Sequence, residues 1–301
     1  MGPTASGKSA LGVMLARKLN CEIISVDSAM VYQGMDIGTA KPTLEEQCGI
    51  VHHLIDILDP VKPFSTGQFR QRTLALIDEI HARGKIPLLV GGTMLYFRAL
   101  QHGLAELPAA NPEIRRNIDE QGRNLGWLAM HARLQAIDPV AAARIHPNDP
   151  QRIQRALEVY EISGKTLTEQ CEASLPIDLP FRMINLILAP DSRIELHERI
   201  KTRFVDMLDR GLIEEVKGMI DRGDLNTSNP AVRAVGYRQV WSYLHREFDK
   251  NTMVEQGIIA TRQLAKRQMT WLRKESSPYI YRSGDANLQN IIMRDLEPFM
   301  L

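Results

Sequence analysis

The chain has 301 residues, of which 44% are hydrophobic and 24% are charged, and these fractions exclude a disordered, collagen-like or low-complexity protein. The formal net charge of +1 excludes a uniformly basic nucleic-acid coat, although it does not exclude a locally basic face. No apolar run approaches the roughly 18 residues of a membrane helix, and we expect no signal peptide because the first residues lack its apolar core. Three widely spaced cysteines, Cys21, Cys48 and Cys171, favour a reduced cytoplasmic chain over a disulfide scaffold.

The first third of the chain alternates between helical and strand patterns. A helix is expected from about Ser9 to Leu19, followed by a buried strand at Cys21–Val26. A second helix is expected at Phe69–Arg83 and a second strand at Ile86–Val90. Because strands that alternate with helices are typical of a parallel α/β sheet, we expect residues 1–110 to form the first part of an α/β core.

The rest of the chain has mainly helical patterns. Residues 111–179 contain only helical segments, separated by proline, glycine and Asn-Asp-Pro, which predicts an all-helical insertion domain. A strand predicted at 182–188 indicates that residues 180–301 complete the core. Three long helical stretches follow that strand, at Ser192–Arg210, Leu212–Arg222 and Pro230–Lys274 with a break near Asp249.

The segment GPTASGKS at the start of the chain matches the whole phosphate-loop pattern G-x-x-x-x-G-K-[ST]. Its glycines let backbone N–H groups point at phosphate oxygens, and the following helix adds its positive N-terminus. Lys8 supplies a point charge, and the hydroxyl of Ser9 is a candidate Mg²⁺ ligand. The pattern ordinarily follows a strand, and only Met1 precedes it here. Either the numbered chain lacks this strand, in which case we expect the sheet to lose a central strand, or its start codon is set too late. The residues of this predicted diphosphate site are Gly2, Pro3, Thr4, Ala5, Ser6, Gly7, Lys8 and Ser9.

An acidic residue is expected close to this loop. Kinases and NTPases usually place a carboxylate after a second strand, but Ile86–Val90 is followed by Gly91-Gly92-Thr93. Asp27, at the end of the strand Cys21–Val26, is the acidic candidate, because the carboxyl end of a strand points into the ligand crevice of an open α/β sheet. The alternative interpretation of Asp27 and Ser28 is a helix cap or a metal-shell role.

Three basic segments are candidates for RNA binding. Residues 262–274 contain five basic residues and no acidic one, and Arg262 and Lys266 share a helix face. The segment QRIQR at 151–155 begins another predicted helix, and RAVGYR at 233–238 has two arginines and a tyrosine around a glycine, a pattern that can grip phosphate or stack on a base. Each segment taken alone is also compatible with ordinary solvated helix surface.

Taken together, these segments resemble the bacterial tRNA dimethylallyltransferase family, also called tRNA isopentenyltransferases. The resemblance covers nearly the whole chain. It is carried by GPTASGKS, ISVDSAMVYQGMDIGTAKP around Asp27, LLVGGTMLYF around Thr93, ARIHPNDPQRIQRALEV around Arg152, RAVGYRQVW around Arg233 and ATRQLAKRQMTWLR near the C-terminus.

The resemblance implies an α/β fold with a P-loop kinase-like parallel-sheet core, an all-helical insertion that clamps an anticodon stem-loop, and a helical C-terminal part. It implies transfer of a dimethylallyl group from dimethylallyl diphosphate to N6 of the adenosine 3′-adjacent to the anticodon, in tRNAs that read codons beginning with U. Mg²⁺ is the expected cofactor. A cytoplasmic monomer without membrane contact is the expected form.

The resemblance also implies roles for individual residues. Asp27 would be the general base, Thr93 would orient the amine or the nearby phosphate, and Arg233 would bind the diphosphate together with Lys8. The residues expected to contact tRNA are Asp27, Ser28, Ala29, Met30, Thr93, Arg115, Gln151, Arg152, Ile153, Gln154, Arg155, Arg233, Ala234, Val235, Gly236, Tyr237, Arg238, Arg262, Lys266, Arg267 and Arg273.

Two alternative functions remain open from the residues alone. A small-molecule or nucleotide kinase would use the same loop for ATP, but it gives no reason for a basic C-terminal helix. A non-catalytic RNA-binding protein would bind tRNA without turnover, but the intact Gly7-Lys8-Ser9 and Asp27 argue against it.

Overall fold

The computed structural model describes residues 1–173 and 179–299. The chain forms two compact units, the first from Met1–Ala99 and Phe181–Leu301 and the second from Leu100–Pro180. Residues 174–178, at the end of the predicted insertion, and the last two residues lie outside the described part. The elements in chain order are α1 (Lys8–Lys18), β1 (Cys21–Val26), α2 (Leu44–Gln47), β2 (His52–His53), α3 (Thr66–Ala82), β3 (Ile86–Gly91), α4 (Met94–His102), α5 (Pro112–Leu125), α6 (Trp127–Ile137), α7 (Pro139–Arg144), α8 (Pro150–Ser163), α9 (Leu167–Ala173), β4 (Leu186–Ala189), α10 (Arg193–Asp209), α11 (Leu212–Asp221), α12 (Tyr237–Leu244), α13 (Lys250–Leu272), β5 (Tyr279–Arg282), α14 (Leu288–Leu296) and a 3₁₀ turn (Glu297–Phe299).

Two small parallel sheets lie in the first unit. One has the strand order β2-β1-β3, with Ile24 paired to His53 on one side and to Leu89 on the other. All six residues of β1 are buried, as expected for the middle strand of a parallel sheet. The other sheet pairs β4 with β5, and β4 is shorter than the strand predicted at 182–188 because its ladder begins at Leu186 and Tyr279. The predicted mixture of helices with a parallel sheet is therefore confirmed.

An apolar gap lies between β3 and β4, which belong to different sheets. Its volume is about 270 Å³, and Leu88 of β3, Leu186 of β4 and Leu15 of α1 are among the side chains that line it. Met1 lies beside β4, where its amino group donates a hydrogen bond to the Leu186 carbonyl (2.7 Å) and its carbonyl accepts one from the Leu188 N–H (2.9 Å). This pair of bonds has the pattern of a single rung of a parallel ladder.

Helices α10 to α13 pack together in the C-terminal part of the first unit. The predicted break near Asp249 is present, since the Asp249 carboxylate caps α13 by accepting from the Thr252 N–H (2.7 Å). Gly257 of α13 lies against the ring of Phe204 on α10, and a Cβ at this glycine would lie 2.1 Å from Phe204 Cζ. This close approach brings α13 and α10 together along one side of the candidate site described below.

Helices α5 to α9 lie in the second unit, around an apolar cluster that includes Leu134 and Ile153. The buried carboxylate of Glu158 accepts hydrogen bonds from the side chains of Arg115 (2.9 Å) and Arg155 (2.6 Å). Burial alone would raise the pKa of Glu158, but these two arginines hold it below its ordinary value. Across both units, none of the described helices combines the length and the apolar character required to cross a bilayer.

Candidate active site

The segment Gly2–Ser9 forms a tight loop that leads directly into α1. The Ser6 N–H donates to the Pro3 carbonyl (3.3 Å), and Gly7 has a φ of +87°, a left-handed conformation that a residue with a Cβ rarely adopts. No side chain caps the N-terminus of α1. The first N–H groups of this helix, with their positive dipole end, are therefore available to an anion.

A cavity of about 530 Å³ opens beside this loop. Four parts of the first unit contribute its polar lining: the loop itself, the end of β1, the end of β3, and helices of the C-terminal part. Its polar and ionisable lining residues include Thr4, Lys8, Ser9, Asp27, Ser28, Thr93, Arg203, Arg233, Arg267 and Gln268. Phosphate-binding, acidic and basic residues predicted from separate sequence segments therefore line one cavity.

Two cations and one carboxylate influence one another in this cavity. Burial lowers the pKa of the Lys8 ammonium to about 8, the charge of Asp27 opposes this shift, and the charge of Arg203 adds to it. Burial also lowers the pKa of Arg203, again against the charge of Asp27. Two half-buried cations next to a carboxylate form an arrangement suited to an anionic ligand with a separate proton-donating reactant beside it.

Arg203 is a site residue that sequence reasoning missed. It lies on α10 three residues after Ile200, so the two side chains share a helix face, and Ile200 is buried and also lines the cavity. An arginine on the apolar face of a helix is the signal that could have identified it, because a cation rarely occupies such a face without a function or a partner.

Asp27 and Thr93 lie side by side at the carboxyl ends of β1 and β3. The Asp27 Oδ1 atom accepts hydrogen bonds from the N–H groups of Ala29 (2.8 Å) and Met30 (3.3 Å), which closes a turn after β1; no helix begins at this point, so the helix-cap alternative is wrong. The Thr93 hydroxyl oxygen accepts from the Ser28 N–H (3.1 Å), which fixes the threonine next to the same turn. The carboxylate is thereby held in one orientation at the cavity wall.

The expected RNA-contact residues fall into two groups by exposure. Arg233, Arg238, Lys266, Arg267 and Arg273 are exposed on the first unit, and Gln151 and Arg152 are exposed on the second. Ala234, Val235 and Gly236 line the cavity.

Three other members of the expected RNA-contact set are buried or half-buried in this fold. Ile153 is fully buried, so contact with RNA through its side chain is not available. Tyr237 is also fully buried, and its hydroxyl donates to Glu215 (2.5 Å), which rules out the base stacking suggested by its sequence context. Arg262 is half-buried, and its Nε atom is buried without a hydrogen-bond partner among the described residues.

The remaining three members of that set are engaged within the second unit. Arg115 and Arg155 bind the buried Glu158, and the Gln154 amide donates to Asp119 (2.6 Å). These contacts explain why arginines appear at those positions without any need for RNA. Sequence patterns alone did not reveal this, because Arg115 and Glu158 are 43 positions apart.

Among the described residues, no group of three or more His, Cys, Asp or Glu side chains is placed to bind a metal ion. Among the oxygens that line the cavity beside the loop, Asp27 supplies the single carboxylate, and hydroxyls such as that of Ser9 supply neutral ligands. Such a sparse set of oxygen ligands fits Mg²⁺ that is bound partly through the phosphates of a substrate.

Comparisons with known proteins agree on the family. The sequence model of the family described as IPP transferase matches residues 30–275. The tRNA dimethylallyltransferase of Methylococcus capsulatus is 58% identical over 290 residues, which cover 96% of this chain and 93% of the relative. The crystal structure of the full-length tRNA isopentenylpyrophosphate transferase from Bacillus halodurans has a TM-score of 0.72 and 37% identity, and the match covers 99% of this chain and 94% of that one. A crystal structure of a eukaryotic dimethylallyltransferase acting on tRNA has a TM-score of 0.83 and 29% identity, over 98% of this chain and 76% of that one. The family predicted from the sequence is confirmed, and the chain belongs to the IPP transferase family.

Proposed function

We propose that this chain transfers a dimethylallyl group from dimethylallyl diphosphate to N6 of the adenosine 3′-adjacent to the anticodon in tRNAs that read U-initial codons. The products are N6-isopentenyladenosine and diphosphate. The observation that carries the proposal is the cavity in which Lys8 and Arg203 lie near the carboxylate of Asp27. Family membership and the 58% identity to a tRNA dimethylallyltransferase support it.

The donor diphosphate would bind to Gly2–Ser9, which we propose to be the phosphate loop of a P-loop kinase-like core. The free N–H groups at the start of α1 and the side chains of Lys8 and Arg203 would contact its oxygens, and Arg233 would add a further cation. As the allylic C–O bond breaks, its electron pair stays on the diphosphate. Cations that are already in place stabilise this growing charge without having to reorganise.

We also propose Mg²⁺ as the cofactor, held by the Ser9 hydroxyl and by oxygens of the diphosphate. A hard divalent cation there would neutralise part of the charge on the leaving group. The sparse protein ligand set described above is compatible with this assignment.

The acceptor amine would lie next to Asp27. Adenine N6 is a weak nucleophile because its lone pair is delocalised into the ring, so its proton must leave as the new C–N bond forms. The Asp27 carboxylate would take that proton, and Thr93, held by the Ser28 N–H, would orient the base. General-base assistance of this kind contributes about 10²–10⁴-fold to the rate.

The tRNA would be bound by exposed cations and polar groups, with the target adenosine turned out of its loop into the cavity. On the first unit these are Arg233, Arg238, Lys266, Arg267 and Arg273, and on the second Gln151 and Arg152. We further propose that the protein acts as a cytoplasmic monomer.

Prenyl transfer to a short RNA tests the proposal. The protein is incubated with Mg²⁺, dimethylallyl diphosphate and an unmodified anticodon stem-loop. In this RNA, three adenosines follow the anticodon nucleotide that pairs with the first base of the codon. We expect the RNA to gain the mass of one dimethylallyl group without ATP. Consumption of ATP in a parallel tube, with no prenyl gain in either, would favour the kinase alternative and overturn the proposal.

A further inference from the structure

Gln268 on α13 connects the two loops that bear the reacting groups. Its side-chain Oε1 atom accepts a hydrogen bond from the Thr4 N–H (2.8 Å), within the Gly2–Ser9 loop. Its Nε2 atom donates to the Gly92 carbonyl (2.9 Å), one residue before Thr93. Only 8% of the residue is exposed, and the bond to Gly92 is buried. A hydrogen bond shielded from water is stronger and more costly to lose.

The Gln268 amide packs directly against Gly92. A Cβ at Gly92 would lie 2.4 Å from Gln268 Nε2 and 3.3 Å from the Gly2 carbonyl oxygen. The helix α13, the Gly2–Ser9 loop and the Gly92–Thr93 loop therefore meet at one point, and a glycine is needed at position 92 because the amide occupies the space of a side chain.

The neighbours of Gln268 on α13 face outwards. Lys266 and Arg267 are both exposed, and Arg267 also lines the cavity. A ligand that binds these cations therefore acts on the same helix turn whose buried glutamine holds both loops. The exposed cations and the buried amide thus lie on one helix turn, next to the donor loop.

We propose that Gln268 is a positioning residue that sets the distance between the donor loop and the Thr93 loop and couples RNA binding on α13 to donor binding. The inference rests on the proposed function for the identity of the two reactants. In the transfer reaction the allylic carbon must lie in line between the diphosphate and the amine. Because a misplacement of about 1 Å costs about 10²-fold in rate, loss of this bridge lowers turnover more than it lowers affinity for either substrate.

The test compares Gln268→Met with Gln263→Met, a matched change at an exposed position of the same helix. Methionine keeps the length of the side chain but can form neither hydrogen bond. We expect Gln268→Met to lower kcat by about 10–100-fold and to raise the KM for RNA, at saturating donor, only by the factor of coupling that is lost. Gln263→Met should behave like the unmodified chain.

Coupling is measured separately from turnover, by calorimetric titration of inorganic diphosphate with and without the anticodon stem-loop. The unmodified chain should bind diphosphate at least fivefold more tightly with RNA present, and Gln268→Met should lose that difference. Should Gln268→Met fail to fold, Gln268→Glu keeps the acceptor for the Thr4 N–H, loses the donor to Gly92, and should also lose the coupling.

The outcomes separate this inference from the proposed function. If the unmodified chain transfers the prenyl group but Gln268→Met matches Gln263→Met in kcat and coupling, the positioning role is wrong and the function stands. If the unmodified chain transfers nothing, the function is wrong, while the diphosphate titrations still decide whether Gln268 couples the two sites.

Discussion

Affinity for the diphosphate should fall above pH 8, because Lys8 loses its charge there. Burial lowers the pKa of the Lys8 ammonium from 10.5 to about 8 in the free protein, with Arg203 adding to the shift and Asp27 opposing it. A bound diphosphate favours the charged lysine, so above pH 8 the free protein must take up a proton in order to bind. With a Lys8 pKa of about 8 in the free protein and a much higher one in the complex, the Kd for diphosphate rises about tenfold from pH 7 to pH 9. This rise corresponds to a loss of about 1.4 kcal/mol of binding free energy.

Calorimetric titration with inorganic diphosphate and Mg²⁺ across this pH range measures the effect. The matched control is Lys8→Arg, whose guanidinium stays charged throughout, so it corrects for ionisation of the ligand itself. The Kd of the unmodified chain should rise relative to that of Lys8→Arg. A constant ratio between the two from pH 7 to pH 9 would refute the reasoning, because it would mean that Lys8 keeps its proton or does not touch the ligand.

Three further predictions concern other parts of the molecule. Asp27→Asn keeps an oxygen for the turn but cannot take a proton, so kcat should fall by about 10²–10⁴-fold with unchanged Kd for RNA; a matching loss of RNA affinity would argue against the base role. Lys266→Ala with Arg267→Ala should lower the slope of log Kd for RNA against log salt by about 1.5, and an unchanged slope would exclude this face from RNA contact. Glu158→Gln removes the buried charge that pairs with two partly exposed arginines and should lower stability by about 1–2 kcal/mol in urea unfolding, whereas an unchanged midpoint would show that this charge contributes little.

Local sequence pattern was sufficient to predict the strands that hold the reacting groups. Cys21–Val26 and Ile86–Gly91 are short apolar runs bounded by polar or glycine residues, and they pair as neighbours. Because the carboxyl ends of parallel strands meet at one edge, Asp27 and Thr93 could be expected near each other from sequence alone.

Features that depend on distant pairing could not be predicted in this way. The contact of Arg115 with Glu158, 43 residues away, could not be predicted from the position of Arg115 in the sequence. The Gln268 bridge joins residues 264 positions apart, and no periodicity in a single sequence records such a contact. The roles of individual charged and amide side chains therefore emerged only when the three-dimensional packing was known.

The close approach of Gly257 to Phe204 also limits which residue position 257 can hold. A methyl group added there would overlap the Phe204 ring, so α10 and α13 would have to move apart. Because α10 carries Arg203 and α13 carries Gln268, that movement would change the spacing of cavity residues that lie on different helices. We therefore expect Gly257→Ala to weaken diphosphate binding in calorimetric titration and to lower the midpoint of urea unfolding.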